Sequence, residues 1–245
     1  MEVHHHSHTA RKKWTHYFWE FLMLFLAVFC GFLAEYQLEH VIEHGREKQF
    51  MTSLVEDLET DTAELKKALK TCDSISRYTD STLIFLSAYK TGEDLPVHFD
   101  KLIGTAGKRQ DLINTDRTSA QLKNSGSMRL IRKKNVSNAI LHYWKSIEAS
   151  LISLERYMIY REAGRVISFK LWVSPIVYNR GMLLSYDSIK TLKVIDTDKK
   201  KWDELANLLG ISAVITSGPH TKNLIEQLSQ ADKLIALIKK EYKLN

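Results

Sequence analysis

Apolar and polar positions change their pattern several times along this chain. Between residues 21 and 34 there is no charged residue. The surrounding stretch, residues 14–38 (WTHYFWEFLMLFLAVFCGFLAEYQL), is the one segment long and apolar enough to cross a bilayer, which takes roughly 20 residues. Rings gather at its first edge (Trp14, Tyr17, Phe18, Trp19), and Tyr36 stands at the other. Aromatic residues favour headgroup depth in this way. A spanning helix is therefore predicted, with its first and last turns in the interface.

Past the span the pattern becomes amphipathic. Met51, Leu54, Leu58, Leu65, Ala68, Cys72 and Ile75 recur at spacings close to a heptad, with Asp61 in the slot between Leu58 and Leu65. This predicts a long helix over 39–90. Gly92, Pro96, Gly104 and Gly107 mark residues 91–110 as a loop with a short helix at its centre. A short helix carrying Leu112, Ile113 and Leu122 should end at Ser125–Gly126. A second long helix is predicted over 135–170, its apolar face made by Val136, Ile140, Tyr143, Trp144, Ile147, Leu151, Leu154, Tyr157, Met158 and Tyr160. Pro175 and Gly181 break the pattern over 171–198. A short helix over 199–210 should stop at Gly210, with 211–218 as a connector. A final amphipathic helix over 219–243 carries Leu224, Ile225, Leu228, Leu234, Ile235 and Ile238. The fold class expected is mainly α, one N-terminal transmembrane helix continuing into an extracytoplasmic helical bundle. The segments are 1–13 (a cytoplasmic His-rich, basic head), 14–38 (the span) and 39–245 (the helical domain).

Composition agrees with a helical chain, since 245 residues hold only 10 Gly and 3 Pro. The net charge of +6 suits contact with anionic membrane lipid better than nucleic acid. Cys30 lies in the span and Cys72 in the body, so no disulfide framework is expected, and Cys72 reads as a buried thiol. The span reads as an uncleaved anchor. Phe32 blocks a cleavage site after Ala34, and Phe29 is too large for lipoprotein processing at Cys30. Arg11, Lys12 and Lys13 precede the span, while Glu39, Glu43 and Glu47 follow it, with Arg46 and Lys48 farther out. That bias puts the N-terminus in the cytoplasm and the body outside, in the periplasm of a double-membrane bacterium.

Four groups of residues carry candidate chemistry. Glu20, Leu24, Ala27, Gly31, Ala34 and Leu38 fall on one stripe of the span. Ala27 and Gly31 form the small-xxx-small pair that lets two helix backbones approach. Glu20 is costly at that depth unless paired, either across a self-association seam or with His16 one turn earlier. His4, His5, His6 and His8, and His40 with His44 around Glu43 (HxxEH), are weak metal candidates; a solvated tail and an interfacial polar turn are the plainer readings. Asp57, Asp61 and Glu64 share a face able to bind a divalent cation, read chiefly as a solvated acidic face. Arg129, Arg132, Lys133 and Lys134 form a basic cluster able to meet an anion or an acidic partner. There is no nucleotide loop, nucleophile elbow, HExxH or GxGxxG. No enzyme activity and no cofactor are therefore expected.

EFLMLFLAVFCGFLAE with SLVEDLETDTAEL (20–35 and 53–65), DRTSAQLKNSGSMRLIRKKNVSNAIL (116–141) and the start MEVHHHSH resemble a family of single-pass membrane proteins of the phylum Bacteroidota, grouped as a domain of unknown function. The resemblance weakens after about residue 170. It implies an inner-membrane location and transfers no site residues. The expectation is a membrane-anchored, non-enzymatic scaffold or partner-binding subunit. It would self-associate as a homo-oligomer through the span, join another membrane protein complex, or both. The alternative is a periplasmic ligand-sensing or regulatory subunit. A pore is disfavoured, because apart from Glu20 the stripe is small and apolar.

Overall fold

A computed structural model describes residues 14–90, 92–173 and 191–244. His4, His5, His6 and His8, and the pattern breakers Pro175 and Gly181, lie outside the described residues. The described chain is mainly helical, and it divides into two compact units, residues 1–49 and 50–245. Helix α1, Trp14–Ala88, contributes to both. Its uninterrupted length follows from the absence of Pro across 14–88.

In the first unit, residues 14–49 of α1 carry the apolar stretch. Its side chains are exposed, with Phe21 at 66% and Val28 at 68%. Phe21, Phe25 and Phe29 stack in successive turns at centroid distances of 6.2 and 5.9 Å. By length and composition α1 is the one helix among the described residues able to cross a membrane.

The second unit is built on three long helical legs. Residues 50–88 of α1 form the first. The chain then passes through β1 (Leu95–Pro96) and α2 (Val97–Ala106). An extended strap, residues 107–116, leads to α3 (Arg117–Asn124) and a 3-10 turn (Ser127–Leu130). Helix α4 (Lys134–Leu171) is the second leg. Then come β2 (Thr191–Leu192), α5 (Lys199–Ile215), a π-turn (Thr216–His220) and α6 (Thr221–Tyr242). β1 and β2 pair antiparallel, Leu95 opposite Leu192.

Cross-links give the directions of the legs. Lys133 meets Glu241, Asn223 bonds Ala149 O, and Ser153 meets His220, so α4 and the α5–α6 leg run antiparallel. Tyr143 reaches Asp61 of α1, while Lys239 reaches Glu59, so α1 runs alongside α4 and against α6.

All seven of the α1 seam positions named from the sequence, from Met51 to Ile75, are buried. Six of them, Met51 to Cys72, enter two cores. One packs Met51, Leu54 and Leu58 against Val136, Ile140, Leu234 and Ile238. The other, smaller, packs Leu65, Ala68 and Cys72 against Leu224. A third core at the far end joins Phe99, Trp172, Trp202 and Leu205. Trp172 and Trp202 stack at 5.8 Å, and Trp202 Nε1 donates to Asp196 O at 2.9 Å.

Several expectations need correction. α3 starts at Arg117, so Leu112 and Ile113 lie on the strap. Its end at Ser125–Gly126 is as expected, because Gly126 takes φ +66°, a left-handed conformation that glycine adopts without a Cβ penalty. The helix from Lys199 does not stop at Gly210, nor is 211–218 a connector. α5 continues to Ile215, and Pro219 sits inside the π-turn. Proline lacks an N–H and its ring crowds the carbonyl four residues back, so the ladder opens by one residue there. Hydroxyls add bonds to carbonyls along this stretch: Thr216 bonds Ser212 O, Ser217 bonds Ala213 O and Thr221 bonds Thr216 O. On α4 the apolar face drifts after Ile147. Leu151 is exposed, while Ser146, Ser150, Ser153, Tyr157, Gly164 and Ser168 are buried.

Candidate functional site

The first feature is polar and structural. A strap without regular structure must find partners for its backbone groups when it is buried. Most of this strap is exposed or half-buried. Side chains of α1 and α4 bond its backbone at Gly107 O, Lys108 O and Thr115 N, and α6 bonds one of its side chains. Arg161 Nε donates to Gly107 O at 2.7 Å, and Tyr157 OH to Lys108 O at 2.6 Å. Gln110 Nε2 donates to Ala68 O and to Cys72 Sγ. Gln227 Nε2 donates to Asn114 Oδ1 at 2.7 Å. Asp61 accepts from Thr115 N at 2.6 Å and from Tyr143 OH at 2.6 Å. Asp57 accepts from Thr118 N at 2.9 Å and from Arg117 Nη2 at 2.8 Å, so it holds the first turn of α3.

Asp57 and Asp61 are thus not a solvated face but buried anchors. Burial is the main cause that raises the Asp61 pKa, opposed by the bonds from Tyr143 and Thr115. Burial also raises Tyr143, and pushes Tyr157 up to about 12, so both phenols stay protonated. Cys72 is a free, buried thiol whose pKa burial raises. The surface pairs Glu64–Lys67 and Asp73–Arg77 are present, at 2.6 and 2.8 Å.

The second feature is the Ser153–His220 pair. Nδ1 of His220 lies 2.8 Å from Ser153 Oγ, which also donates to Ser150 O. The combination looks like a nucleophile and its base. Both side chains are buried, however, and Ser153 directs a proton into its own helix. Desolvation lowers the His220 pKa to about 4, so the ring is neutral at pH 7. The pair fastens α4 to the π-turn.

The third feature is a cavity of about 200 Å³ between α2, α4 and α5. Ile103, Phe169, Trp172, Leu205 and Leu209 give it apolar walls, and Asp100, Arg161, Arg165, Ser168 and Ser212 add polar groups. The Arg161 side chain is only 13% exposed and shares Glu162 with Arg165. Burial lowers the Arg161 pKa, and burial raises that of Asp100, which accepts a hydrogen bond from the Trp172 side chain.

The residues singled out from the sequence lie elsewhere. Glu20, Leu24, Ala27, Gly31 and Ala34 are exposed on α1. Glu20 pairs with His16 at 3.0 Å, and a Cβ on Gly31 would meet nothing within 4 Å. His40 packs edge-on against Tyr36, and His44 Nδ1 lies 3.5 Å from Glu47. Among the described residues no three His, Cys, Asp or Glu side chains converge. Arg129, Arg132 and Lys134 are exposed. Lys133 is drawn into the fold instead, bonding Glu241 at 2.9 Å and lying over the Tyr242 ring at 4.8 Å. That bond is the main cause holding the Glu241 carboxyl below its usual range.

The cavity and the strap were missed in the sequence because both depend on contacts between distant segments. The faint signal for the strap was Asp57 and Asp61 one helical turn apart beside the apolar seam. Scans of family models, of curated proteins and of solved structures return no match to this chain.

Proposed function

We propose that this chain is a membrane-anchored, non-enzymatic scaffold or partner-binding subunit of the bacterial inner membrane. Its N-terminus would lie in the cytoplasm and its helical body in the periplasm. The carrying observation is the exposure of the apolar stretch of α1, where Phe21, Met23, Leu24, Phe25, Val28 and Phe32 are all exposed. At about 25 cal/mol per Å² such a surface is costly in water and favourable in lipid. Lipid is one partner and a second copy the other. The open face around Gly31 supports close helix approach, and Ile152, Ile159 and Val166, seven residues apart, are exposed on α4. The resemblance to the Bacteroidota family points the same way. The His16–Glu20 pair removes the need for a partner charge at Glu20.

The expected result in native mass spectrometry of detergent-solubilised protein is a defined oligomer, which Gly31→Leu dissociates. A monomer in both proteins would remove the seam from the account. A second reading, a ligand-sensing subunit, is favoured by the cavity beside Arg161.

A further inference from the structure

We propose that the cavity between α2, α4 and α5 is a binding site for a small apolar carboxylate, an aromatic ring on a short acid arm being the size it takes. This supplies the ligand that the sensing reading requires, and it does not depend on the anchored topology.

Size comes first. The cavity holds about 200 Å³. An apolar cavity of roughly 150 Å³ accepts benzene. The added room matches one short polar arm. Chemistry comes second. Ile103, Leu205, Leu209 and Phe169 give the walls an apolar character suited to a ring. Arg161 and Arg165 stand on one helix and both line the cavity. Arg161 holds Gly107 O through Nε and shares Glu162 with Arg165. Arg161 is mostly buried, where a charge-assisted bond to a carboxylate is strong. Arg165 is held by Glu162 in a half-exposed pair. Such pairs contribute little, so an entering carboxylate can displace it. Asp100 already accepts from the Trp172 side chain, and a second negative charge beside it is disfavoured. The acid arm therefore goes to the arginine side.

Gly104 supplies an independent point. It lies inside α2, lines the cavity, and a Cβ built on it meets nothing within 4 Å. Glycine in a helix interior costs about 1 kcal/mol relative to alanine. No close contact at this position offsets that cost. A large side chain there fills the cavity mouth without straining the helix.

The test uses the full chain in nanodiscs, titrated calorimetrically with phenylacetate, 2-phenylethylamine and 2-phenylethanol. The proposal predicts saturable phenylacetate binding, at least tenfold tighter than the amine or the alcohol. Arg165→Gln should weaken it about tenfold, and Gly104→Phe should abolish it with the melting temperature held or raised. Should the Phe variant melt lower, Gly104→Leu replaces it with the same expected loss of binding. Absence of saturable phenylacetate binding, equal binding of the amine or alcohol, or full binding to both Gly104 variants would overturn the proposal. A failure of membrane anchorage would leave these results unchanged, so the two readings fail separately.

Discussion

Asp61→Ala is expected to destabilise the helical body by about 2–3 kcal/mol. The carboxylate accepts from the strap at Thr115 N and from Tyr143 OH on α4. Removing it leaves the buried Tyr143 hydroxyl and the half-buried Thr115 N–H without an acceptor, at about 1–3 kcal/mol for a buried group and less for a half-buried one. Relief from burying a charge offsets part of that cost. For a body of this size about 2–4 °C of melting temperature goes with each kcal/mol. A fall of about 5–10 °C should follow in a thermal melt. Asp61→Asn keeps an acceptor for Thr115 N and should fall by less. The pH dependence carries a sign. The folded pKa of Asp61 lies above its unfolded value of 3.8, so the carboxyl contributes stability in its protonated form. That contribution is present below 3.8 and is lost as pH rises through the folded pKa. Wild type should therefore gain on Asp61→Asn as the pH falls into the acid range. An Ala variant within about 0.5 kcal/mol of wild type would show that the strap does not depend on this anchor.

His220 gives the opposite sign. Its pKa falls from 6.5 to about 4 because burial disfavours the imidazolium. The unfolded chain therefore binds the proton more readily. Stability from this group is complete above 6.5 and is lost as pH falls through about 4. At about 1.4 kcal/mol per pKa unit, the shift amounts to about 3 kcal/mol. Denaturant melts between pH 7 and 4 should show that loss in wild type. His220→Gln, which has no proton to take up, should lose correspondingly less over the same interval. Equal losses in the two proteins would mean that His220 titrates as it does in the unfolded chain.

These two residues mark where the sequence was legible and where it was not. The seam from Met51 to Ile75 could be read because one helix face repeats its apolar residues locally. The break at Gly126 could be read because a left-handed turn favours glycine. Asp61 was seen in the seam, but its partners are 54 and 82 residues away, so nothing local showed that it was paired. The α4 reading followed large apolar residues through Leu151 to Tyr160, and of these Tyr157 is buried but Leu151 is exposed, because burial follows a helical stripe through Ser150 and Ser153. Helical geometry sets that stripe, and small residues keep it where α6 and the π-turn lie close. Pro219 was placed near a helix start, since proline is common in a first turn, whereas here it sits inside a π-turn that carries the helical path on from α5 to α6. The cavity had no local signature, because α2, α4 and α5 each contribute only part of its wall.

The anchored topology is tested most directly by labelling one surface cysteine. In a Cys30→Ser background the remaining native thiol, Cys72, is buried, and Arg129 is exposed on the body. Arg129→Cys is treated with a membrane-impermeant maleimide in cells whose outer membrane alone has been opened. The account predicts full labelling with the inner membrane intact, on protein that stays in the membrane fraction. Labelling that appears only after the inner membrane is broken would contradict it.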